Sequence, residues 1–469
     1  MKIMLVTPAF APSGERWMPL GLCYIASSLE RAGHEVLISD RYLQALRFGA
    51  QAADEHLAGE VRAFHPDIVG FTTVTPYIHD TVEAVRAVRA VCDARILLGG
   101  HHVTALPELT MQRIPQADAV LTGEAETSFC LFASGADKST VPGLYWRDAT
   151  IHRSDAKGKH ESLDDLPLPA YHLIDMAYYT GKNASTIRPF YLRTGSVLSA
   201  RGCRNRCAFC AESLTFSGGL RTHSPDYVFD NIAILKKDCG CNGITFLDND
   251  FLVDRQRAET ILRGVIARQW NRDMVFCIQA RADSIDDDIA RLMKEAGFLK
   301  VEIGLETSSQ ASLDHVGKNL QADVSENAVR ICRKHGISVQ ANLIHGLEGE
   351  TIDTLNTTLD WIKRLKLQNI KWGPLKVYPG TLLYKQRGGA FFENNEWTRE
   401  NIERYFREDH VSGVSFEDRK RWLDSCLIPY QKYTYHRGLL THNAPGDILR
   451  HYSRAVARKI TARAGTSGR

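Results

Sequence analysis

The sequence predicts an α/β protein with two successive units of parallel strands. In residues 1–135, and again from Gly195 onward, short apolar runs alternate with stretches of helical periodicity. The prolines in segment 163–169 indicate an extended connection between the units. With 469 residues and 44% hydrophobic content, the chain is long and apolar enough to build several packed cores.

The first unit, assigned to residues 1–140, is expected to contain five strands, at 2–6, 35–39, 67–71, 95–98 and 119–121. Between them, apolar residues recur at helical spacing, as in the stretch that stops at Gly33 and the one from Ile78 to Val88. Strands that alternate with helices predict a doubly wound, Rossmann-like five-stranded parallel sheet.

Small and polar residues follow the strands of this sheet, at the edge where doubly wound sheets bind ligands. Hydroxyls after the third strand and glycines after the fourth would let a large, flat cofactor with a nucleotide tail approach the backbone. The candidate contacts are Thr72, Thr73, Thr75, Gly99, Gly100, His101, Gly123 and Glu124. Taken singly, each of these residues also suits a generic flavodoxin-like sheet.

Residues 141–190 are predicted to connect the two units. Segments 143–146 and 150–152 are typical of a small hairpin, and the prolines after them are typical of an extended linker.

The second unit, assigned to residues 191–385, is expected to contain six strands followed by helices. The strands end near Ser199, Leu247, Gln279, Gly304, Ile344 and Val377. Six such units predict a partial (βα)6 TIM-type barrel, which leaves a lateral opening. The helical C-terminal region, 386–469, is rich in aromatic residues that either pack internally or cover that opening. Its basic end, 450–469, is either a solvated face or a surface for an acidic partner.

Three cysteines with the spacing Cys-x3-Cys-x2-Cys follow the first strand of this second unit. Cys203, Cys207 and Cys210 offer three thiolates with no fourth thiol nearby, which suits a cubic iron-sulfur cluster with one open iron. A structural zinc site would need four ligands, and the downstream Cys239 and Cys241 have the wrong spacing for it.

The cysteine run, with Phe209 just before the last cysteine, resembles the signature of the radical S-adenosylmethionine (SAM) enzymes. That resemblance implies a [4Fe-4S] cluster whose open iron binds SAM and cleaves it reductively to a 5′-deoxyadenosyl radical. It identifies the partial barrel as the radical SAM core.

Polar residues at the ends of the barrel strands look like the SAM contacts of that family. The candidates are Asp248, Asn249, Asp250, Gln279, Arg281 and Glu306. An acidic or amide side chain would receive the SAM ammonium group, Arg281 a carboxylate, and Glu306 the ribose hydroxyls. Helix caps for the first three and a surface ion pair for Arg281 are the alternatives.

The first unit resembles the cobalamin-binding domain of the cobalamin-dependent radical SAM enzymes. The resemblance rests on the Gly-Gly-x-His run that begins at Gly99 and the Gly-Glu-x-Glu run that begins at Gly123. His56 matches a cobalt-ligating motif of another cobalamin domain, but it falls in a helical stretch between the second and third strands. We therefore expect cobalamin to bind without a protein imidazole on its cobalt.

Composition limits the partners and the compartment. A net charge of +3 gives no nucleic-acid footprint, and no apolar run approaches the length of a membrane span. Eleven cysteines and an N-terminus that does not read as a signal peptide indicate a reducing cytoplasm. The resemblance implies a small-molecule substrate and an electron donor such as flavodoxin or ferredoxin.

Together, the two resemblances imply methylation of an unactivated carbon, or of phosphorus, in a small-molecule biosynthetic intermediate, through the 5′-deoxyadenosyl radical and methylcobalamin. A non-methylating cobalamin-dependent radical SAM enzyme, which cyclises, contracts or oxidises its substrate, is the nearest alternative. A methylthiotransferase acting on tRNA and a non-catalytic cobalamin or iron-sulfur sensor are more distant ones.

Overall fold

The computed structural model describes residues 1–9, 16, 18–158, 162–212, 216, 219–367, 369–408, 411–449 and 452–453. Its N-terminal sheet has seven strands in the order β2-β1-β3-β4-β5-β6-β7, of which β1 to β5 are parallel. The strands are β1 (Lys2–Val6), β2 (Glu35–Ser39), β3 (Ile68–Thr72), β4 (Arg95–Gly99), β5 (Ala119–Leu121), β6 (Leu144–Arg147) and β7 (Ile151–Arg153).

All five expected parallel strands are present, but the sheet is larger than the sequence predicts. The hairpin assigned to the connection belongs to this sheet, because β6 pairs antiparallel with β5 and places Leu144 opposite Leu121. Leu144 is fully buried, so the hairpin protects the edge of β5. Local patterning shows a hairpin but not the strand with which it pairs.

Helices cover both faces of the N-terminal sheet, as doubly winding requires. Alternate residues of β1 separate the two cores: Ile3 and Leu5 belong to one, Met4 and Val6 to the other. The helices are Leu20–Arg31, Arg41–Phe48, Ala50–Phe64, Ile78–Arg89, His101–Ala105, Pro107–Arg113 and Glu126–Ala133. His56 lies on the exposed side of its helix, where it pairs with Glu60.

The connection is less extended than the prolines suggest. Short helical turns form at Leu163–Asp165, Tyr171–Leu173 and Met176–Tyr179, and Leu163 and Tyr171 are buried. These buried side chains tie the connection to the two units, so it is not a free linker.

The second sheet has six parallel strands in the order β15-β14-β13-β12-β11-β8, which confirms the partial barrel. Its strands are β8 (Thr194–Val197), β11 (Gly243–Phe246), β12 (Val275–Ala280), β13 (Phe298–Glu306), β14 (Ser338–His345) and β15 (Asn369–Pro374). The helices between them are Pro225–Cys239, Arg255–Ala267, Asp287–Glu295, Gln310–His315, Ala322–Lys334 and Ile352–Leu365. A short antiparallel ribbon, β9 (Ala200–Arg201) and β10 (Arg221–Thr222), follows β8.

The strands of the barrel alternate between an apolar outer face and a polar inner face. On β13, Val301, Ile303 and Leu305 belong to the core beneath the helices, whereas Lys300 and Glu302 lie on the other face. At the base of the inner face, Ile187 and Phe190 pack against Cys277. Residues 187–190 of the connection therefore lie against β12 at the base of the barrel.

The C-terminal region packs against both units. Its helices are Phe391–Asn394, Arg399–Arg407, Phe416–Trp422 and Ile428–His442. Trp397 and Tyr405 join the N-terminal core that contains Met4 and Val6, whereas Trp422 packs edge-on against Trp372 of β15. These three C-terminal aromatic residues thus pack internally, whereas Tyr433 is 60% exposed. The basic segment 450–469 lies outside the described residues, apart from 452–453.

Within the described ranges, no helix is long and apolar enough to cross a membrane.

Candidate active site

The C-terminal edges of the two sheets face each other across a cavity of about 500 Å³. The N-terminal edge contributes Thr72, Gly99, Gly100, His101, Gly123 and Glu124. The barrel contributes Leu198, Ala200, Arg201, Glu212, Leu247 and Asn249. Since residues of both edges line one space, two cofactors bound at these edges would lie next to each other.

The N-terminal edge presents bare backbone to this cavity. Gly100 has a φ of +100°, and a Cβ built on it would lie 2.7 Å from the carbonyl oxygen of Thr73. Neither the backbone angle nor the space admits a side chain here. Deeper in the cavity the wall is apolar, with Leu5, Leu97 and Phe129. An apolar wall beneath an exposed glycine backbone fits the close approach of a large planar macrocycle.

Two of the threonines predicted to contact a cofactor lie behind the cavity. Thr73 is fully buried, donates to the carbonyl of Gly99 at 2.7 Å and accepts from the backbone N–H of Val103 at 3.3 Å. The hydroxyl of Thr75 lies 3.2 Å from Nδ1 of the buried His102. Both side chains hold the glycine loop in place, and of the three threonines only Thr72 lines the cavity.

A second cavity, of about 970 Å³, lies beside the first and shares Gly123, Glu124 and Glu126 with it. Its lining is rich in hydroxyl groups, from Thr104, Thr122, Thr127, Ser128 and Thr140. Segment 123–126 therefore separates an apolar space from a polar one.

The three cysteines lie in one loop directly after β9. Gly202, with a φ of +86°, turns the chain into the loop, and any Cβ there would collide with the carbonyl of Gly219. Ala208 anchors the loop by donating to the carbonyl of Val316 and accepting from the N–H of Leu383, each at 2.9 Å. The loop is thus fixed to the barrel at Val316 and at Leu383, near the end of the second unit.

The donor set of this loop fits an iron-sulfur cluster. Each thiol is partly buried, and the described chain contains no disulfide. Among the described residues, no three His, Cys, Asp or Glu side chains are arranged to hold a single metal ion. Three thiolates are the donor set of a cubic cluster with one open iron. Burial raises the pKa of Cys210 to about 11. Burial also raises the pKa of Cys207 above its usual value, although the positive charges of Lys318 and Arg281 partly offset this increase.

Asp248 supports the cysteine loop and does not reach the cavity. It is fully buried, and its carboxylate accepts from the backbone N–H groups of Ser199 at 2.6 Å and Ala200 at 3.0 Å, and from the Ser199 hydroxyl. With these three hydrogen bonds made, the carboxylate fixes the segment that leads into β9. The expected contact with SAM does not fit this geometry.

Of the two residues after Asp248, only Asn249 reaches the cavity. Asn249 lines the cavity, and its amide donates to Glu212 at 3.5 Å. Asp250 is buried near the end of β12, where its carboxylate accepts from the N–H groups of Leu252 and Arg281. Burial, the largest cause, raises the pKa of Asp250 to about 6. A carboxylate destabilised in this way gains most from a cationic ligand.

The two candidates on and after β12 differ in how far they are already bound. The guanidinium of Arg281 binds Asp283 and the carbonyls of Lys318 and Asn319. Gln279 lies on the inner face of the barrel, next to Glu302 of β13. Arg281 therefore joins two loops of the edge, whereas the side chain of Gln279 faces the barrel interior.

Glu306 forms a buried ion pair that sequence reasoning missed. The Nζ of Lys318 lies 2.6 Å from its carboxylate, and both side chains are about nine-tenths buried. Gly304 makes room for the pair: a Cβ there would lie 2.5 Å from Oε1 of Glu306 and 2.8 Å from Nζ of Lys318. Since Lys318 also lowers the pKa of Cys207, it stands between the cluster loop and the predicted SAM contacts.

A second missed feature, which we name the Arg201 cluster, consists of Arg201, Arg221, Glu124 and Glu126. Arg201, only 4% exposed, donates to Glu124 and to Glu126, each at 2.6 Å, and Arg221 also binds Glu124. Burial disfavours the charge of Arg201, but the two carboxylates outweigh it and raise its pKa. Glu124, expected to contact a cofactor, thus also joins the two units.

Two family models match the chain over these two units. The B12 binding domain matches residues 6–133, and the Radical SAM superfamily matches residues 197–362. The chain belongs to the cobalamin-dependent radical SAM enzymes. The first matched range ends before the connection and the second begins after it. Each range contains one of the two edges that line the cavity.

Similar proteins share the whole arrangement. The enzyme is 29% identical to an uncharacterized methyltransferase of Pyrococcus horikoshii, over 97% of this chain and 99% of that protein. It is 23% identical to the anaerobic magnesium-protoporphyrin IX monomethyl ester cyclase of Rubrivivax gelatinosus, over 94% of this chain and 79% of that one.

Among solved structures, the radical SAM methyltransferase TsrM of Kitasatospora setae, with cobalamin and a [4Fe-4S] cluster bound, matches with a TM-score of 0.71. It is 18% identical, and the match covers 95% of this chain and 91% of that one. At this identity the likeness establishes a shared fold for the cobalamin-dependent radical SAM enzyme described here.

Proposed function

We propose that the protein is a cobalamin-dependent radical SAM methyltransferase that acts on an unactivated carbon, or on phosphorus, of a small-molecule biosynthetic intermediate. The observation that carries the proposal is the cavity itself, which the bare glycine edge of one domain and the cluster edge of the other line together. When bound, the cluster with SAM supplies a carbon-centred radical, and cobalamin supplies the methyl group.

The residues have separate tasks in this proposal. Cys203, Cys207 and Cys210 hold the [4Fe-4S] cluster. Asn249 and Asp250 receive the cationic part of SAM, and Glu306, held by Lys318, receives its hydroxyl groups. Asp248 does not contact SAM but holds the backbone that leads into the cysteine loop. Gln279 faces the barrel interior, next to Glu302.

On the opposite side, backbone replaces side chains. Gly99, Gly100 and Gly123 let cobalamin approach the end of the sheet, and Thr72, His101 and Glu124 border it. Thr73 and Thr75 keep the loop rigid. The apolar wall excludes water from the space where a radical would exist, which protects it from side reactions.

The test is anaerobic reconstitution of the full chain with iron, sulfide and hydroxocobalamin, followed by incubation with reductant and SAM that carries a deuterated methyl group. We expect 5′-deoxyadenosine and S-adenosylhomocysteine together, and a labelled methyl group on the substrate. S-adenosylhomocysteine absent under conditions that produce 5′-deoxyadenosine would refute methylation.

A second function has a specific observation in its favour. The cyclase of Rubrivivax gelatinosus is similar over nearly the whole chain, so a non-methylating reaction on a cobalamin-dependent radical SAM scaffold is the alternative. A product without added methyl mass, formed with 5′-deoxyadenosine alone, would identify it. A sensor of cobalamin or of iron-sulfur clusters would form neither product.

The proposal also includes an electron donor of the flavodoxin or ferredoxin type, because reductive cleavage of SAM consumes one electron. A reducing cytoplasm suits the eleven cysteines of the chain. Reduction of the cluster by purified flavodoxin and its reductase would test the donor directly.

A further inference from the structure

The Arg201 cluster links the two cofactor edges through buried charges. Glu124 and Glu126 belong to the segment that borders both cavities, after β5 of the N-terminal sheet. Arg201 ends β9, two residues before Cys203, and Arg221 lies directly opposite it on β10. The four side chains are at most 20% exposed.

Charge balance makes this cluster a stiff connection. Two arginines meet two carboxylates, and each hydrogen bond is charge-assisted and therefore strong and directional. Arg201 also stacks over the ring of Tyr24 at 5.1 Å, so its guanidinium is fixed on a third side by helix Leu20–Arg31. Moving either carboxylate alone would leave a buried charge without its partner, which is strongly unfavourable. The two segments therefore move together.

On the barrel side, the Arg201 cluster is joined to the cysteine loop through the backbone of Arg201. Asp248 binds the N–H groups of Ser199 and Ala200, immediately before Arg201. Gly202, held against Gly219, follows immediately after it. With one residue fixed on either side, a displacement of the Arg201 side chain is transmitted to the backbone next to Cys203.

We propose that the Arg201 cluster couples cobalamin binding at segment 123–126 to SAM binding at the cysteine loop, so that each ligand raises the affinity for the other. This inference rests on the proposed function, because it needs both ligands to bind. Arg201 and Glu126 act here as positioning residues. By thermodynamic linkage, SAM changes the affinity for cobalamin by the same factor as cobalamin changes the affinity for SAM.

The experiment measures binding, without turnover. The full chain is reconstituted anaerobically with an oxidised cluster, so that SAM binds but is not cleaved. The dissociation constant of hydroxocobalamin is measured with and without saturating SAM, and that of SAM with and without hydroxocobalamin. For the wild type we expect both to fall by the same factor, about five- to tenfold.

Glu126→Gln and Arg201→Lys test the role of the Arg201 cluster. In Glu126→Gln the factor should fall to about one while the cluster iron content stays at the wild-type level. Arg201→Lys keeps the positive charge but cannot bind two carboxylates in the same geometry, so it should retain only part of the coupling factor. The double variant Arg201→Gln, Glu126→Gln should show no larger loss than Glu126→Gln alone, because both changes remove the same link between the two units.

Arg255→Gln is the matched control. Arg255 also binds two carboxylates, Glu259 and Asp286, but on the outer surface of the barrel. Its removal should leave the coupling factor unchanged. Two results would overturn the inference and leave the proposed function standing: a coupling factor of one in the wild type, or a wild-type coupling factor in Glu126→Gln. A wild type that binds neither ligand would instead contradict the proposed function.

Discussion

The two sheet edges that face the cavity are built from different chemical groups. At the N-terminal edge, glycine backbone and apolar side chains face the cavity, while Thr73 and Thr75 turn away to hold the loop. At the barrel edge, thiols, carboxylates and cations are crowded together, as in the pair between Glu306 and Lys318. One edge offers shape, the other charge.

This difference separates two ways of binding. A flat macrocycle on bare backbone gains its affinity from many small contacts, so few single side chains control it. A charged ligand on a charged edge depends on individual hydrogen bonds, each of which a single substitution removes. Substitutions should therefore act through lost groups at the barrel edge and through added bulk at the N-terminal edge.

The largest effect should come from the thiols. Replacing Cys203, Cys207 or Cys210 with Ala removes a cluster ligand, and SAM cleavage should fall more than the roughly 10- to 100-fold typical of changes behind metal ligands. Iron content and 5′-deoxyadenosine formation measure the loss. Cys239→Ala, at the end of helix Pro225–Cys239, should retain both. Full activity in any of the three variants would exclude that thiol as a ligand.

Asp248→Asn distinguishes support from contact at the barrel edge. The amide cannot accept all three hydrogen bonds, so the free energy of unfolding should fall by about 1–3 kcal/mol in urea titrations. Asp273→Asn, at an exposed pair with Lys236, should change it by less than about 0.5 kcal/mol. Wild-type stability combined with weaker SAM binding would instead make Asp248 a direct ligand.

Gly100→Ala tests the N-terminal edge by adding one methyl group. The backbone angle and the nearby Thr73 carbonyl should cost about 1–3 kcal/mol, measured as weaker cobalamin binding and a lower melting temperature. Gly59→Ala is the control, because Gly59 lies in helix Ala50–Phe64 with open space around it. That change should be neutral or stabilise by up to about 1 kcal/mol. Unchanged cobalamin binding in Gly100→Ala would mean that the loop around Gly100 does not contact cobalamin.

Asp250→Asn should give the smallest effect and a pH signature. Because burial raises the pKa of Asp250 to about 6, SAM affinity in the wild type should increase as pH rises through 6. The same raised pKa contributes stability that is complete below the unfolded value of 3.8 and is lost as pH rises through 6. Asp250→Asn should remove both dependences and weaken SAM binding about fivefold, or about 1 kcal/mol, above pH 7. An unchanged pH profile would assign the titration to another group.

Local patterns were sufficient for most of the fold. The apolar runs and helical spacing located β1, β2 and β5 to the residue and the six barrel strands to within a few residues. The pairing of β6 with β5 was missed, because long-range register leaves no trace in a single segment. The same limit hid the β9–β10 ribbon, which is two residues long on each side.

The candidate site was predicted less completely, for a physical reason. Position at a strand end predicts which residues reach an edge but not which side chains turn toward the cavity. Thr73 and Asp248 are therefore predicted as contacts, although both hold backbone in place. Arg201 is not predicted, because its partners Glu124 and Glu126 lie 77 and 75 residues away in sequence. Lys318 is not predicted, because nothing in the local pattern shows that the chain turns back to bring it to Glu306, 12 residues earlier. The sequence signal for Arg201 is charge: an arginine two residues before the first cysteine, and a Gly-Glu-Ala-Glu run with no Lys or Arg near it.

The shared core of the N-terminal unit and the C-terminal region has a consequence for synthesis of the chain. Ile78 and Val85 lie in one hydrophobic cluster with Trp397 and Tyr405, and the rings of His102 and Trp397 meet at 4.7 Å. On the ribosome, the first unit emerges about 250 residues before these partners do. Until then, the helix face that Trp397 and Tyr405 cover in the folded protein is exposed to solvent. The protein thus completes its first domain last.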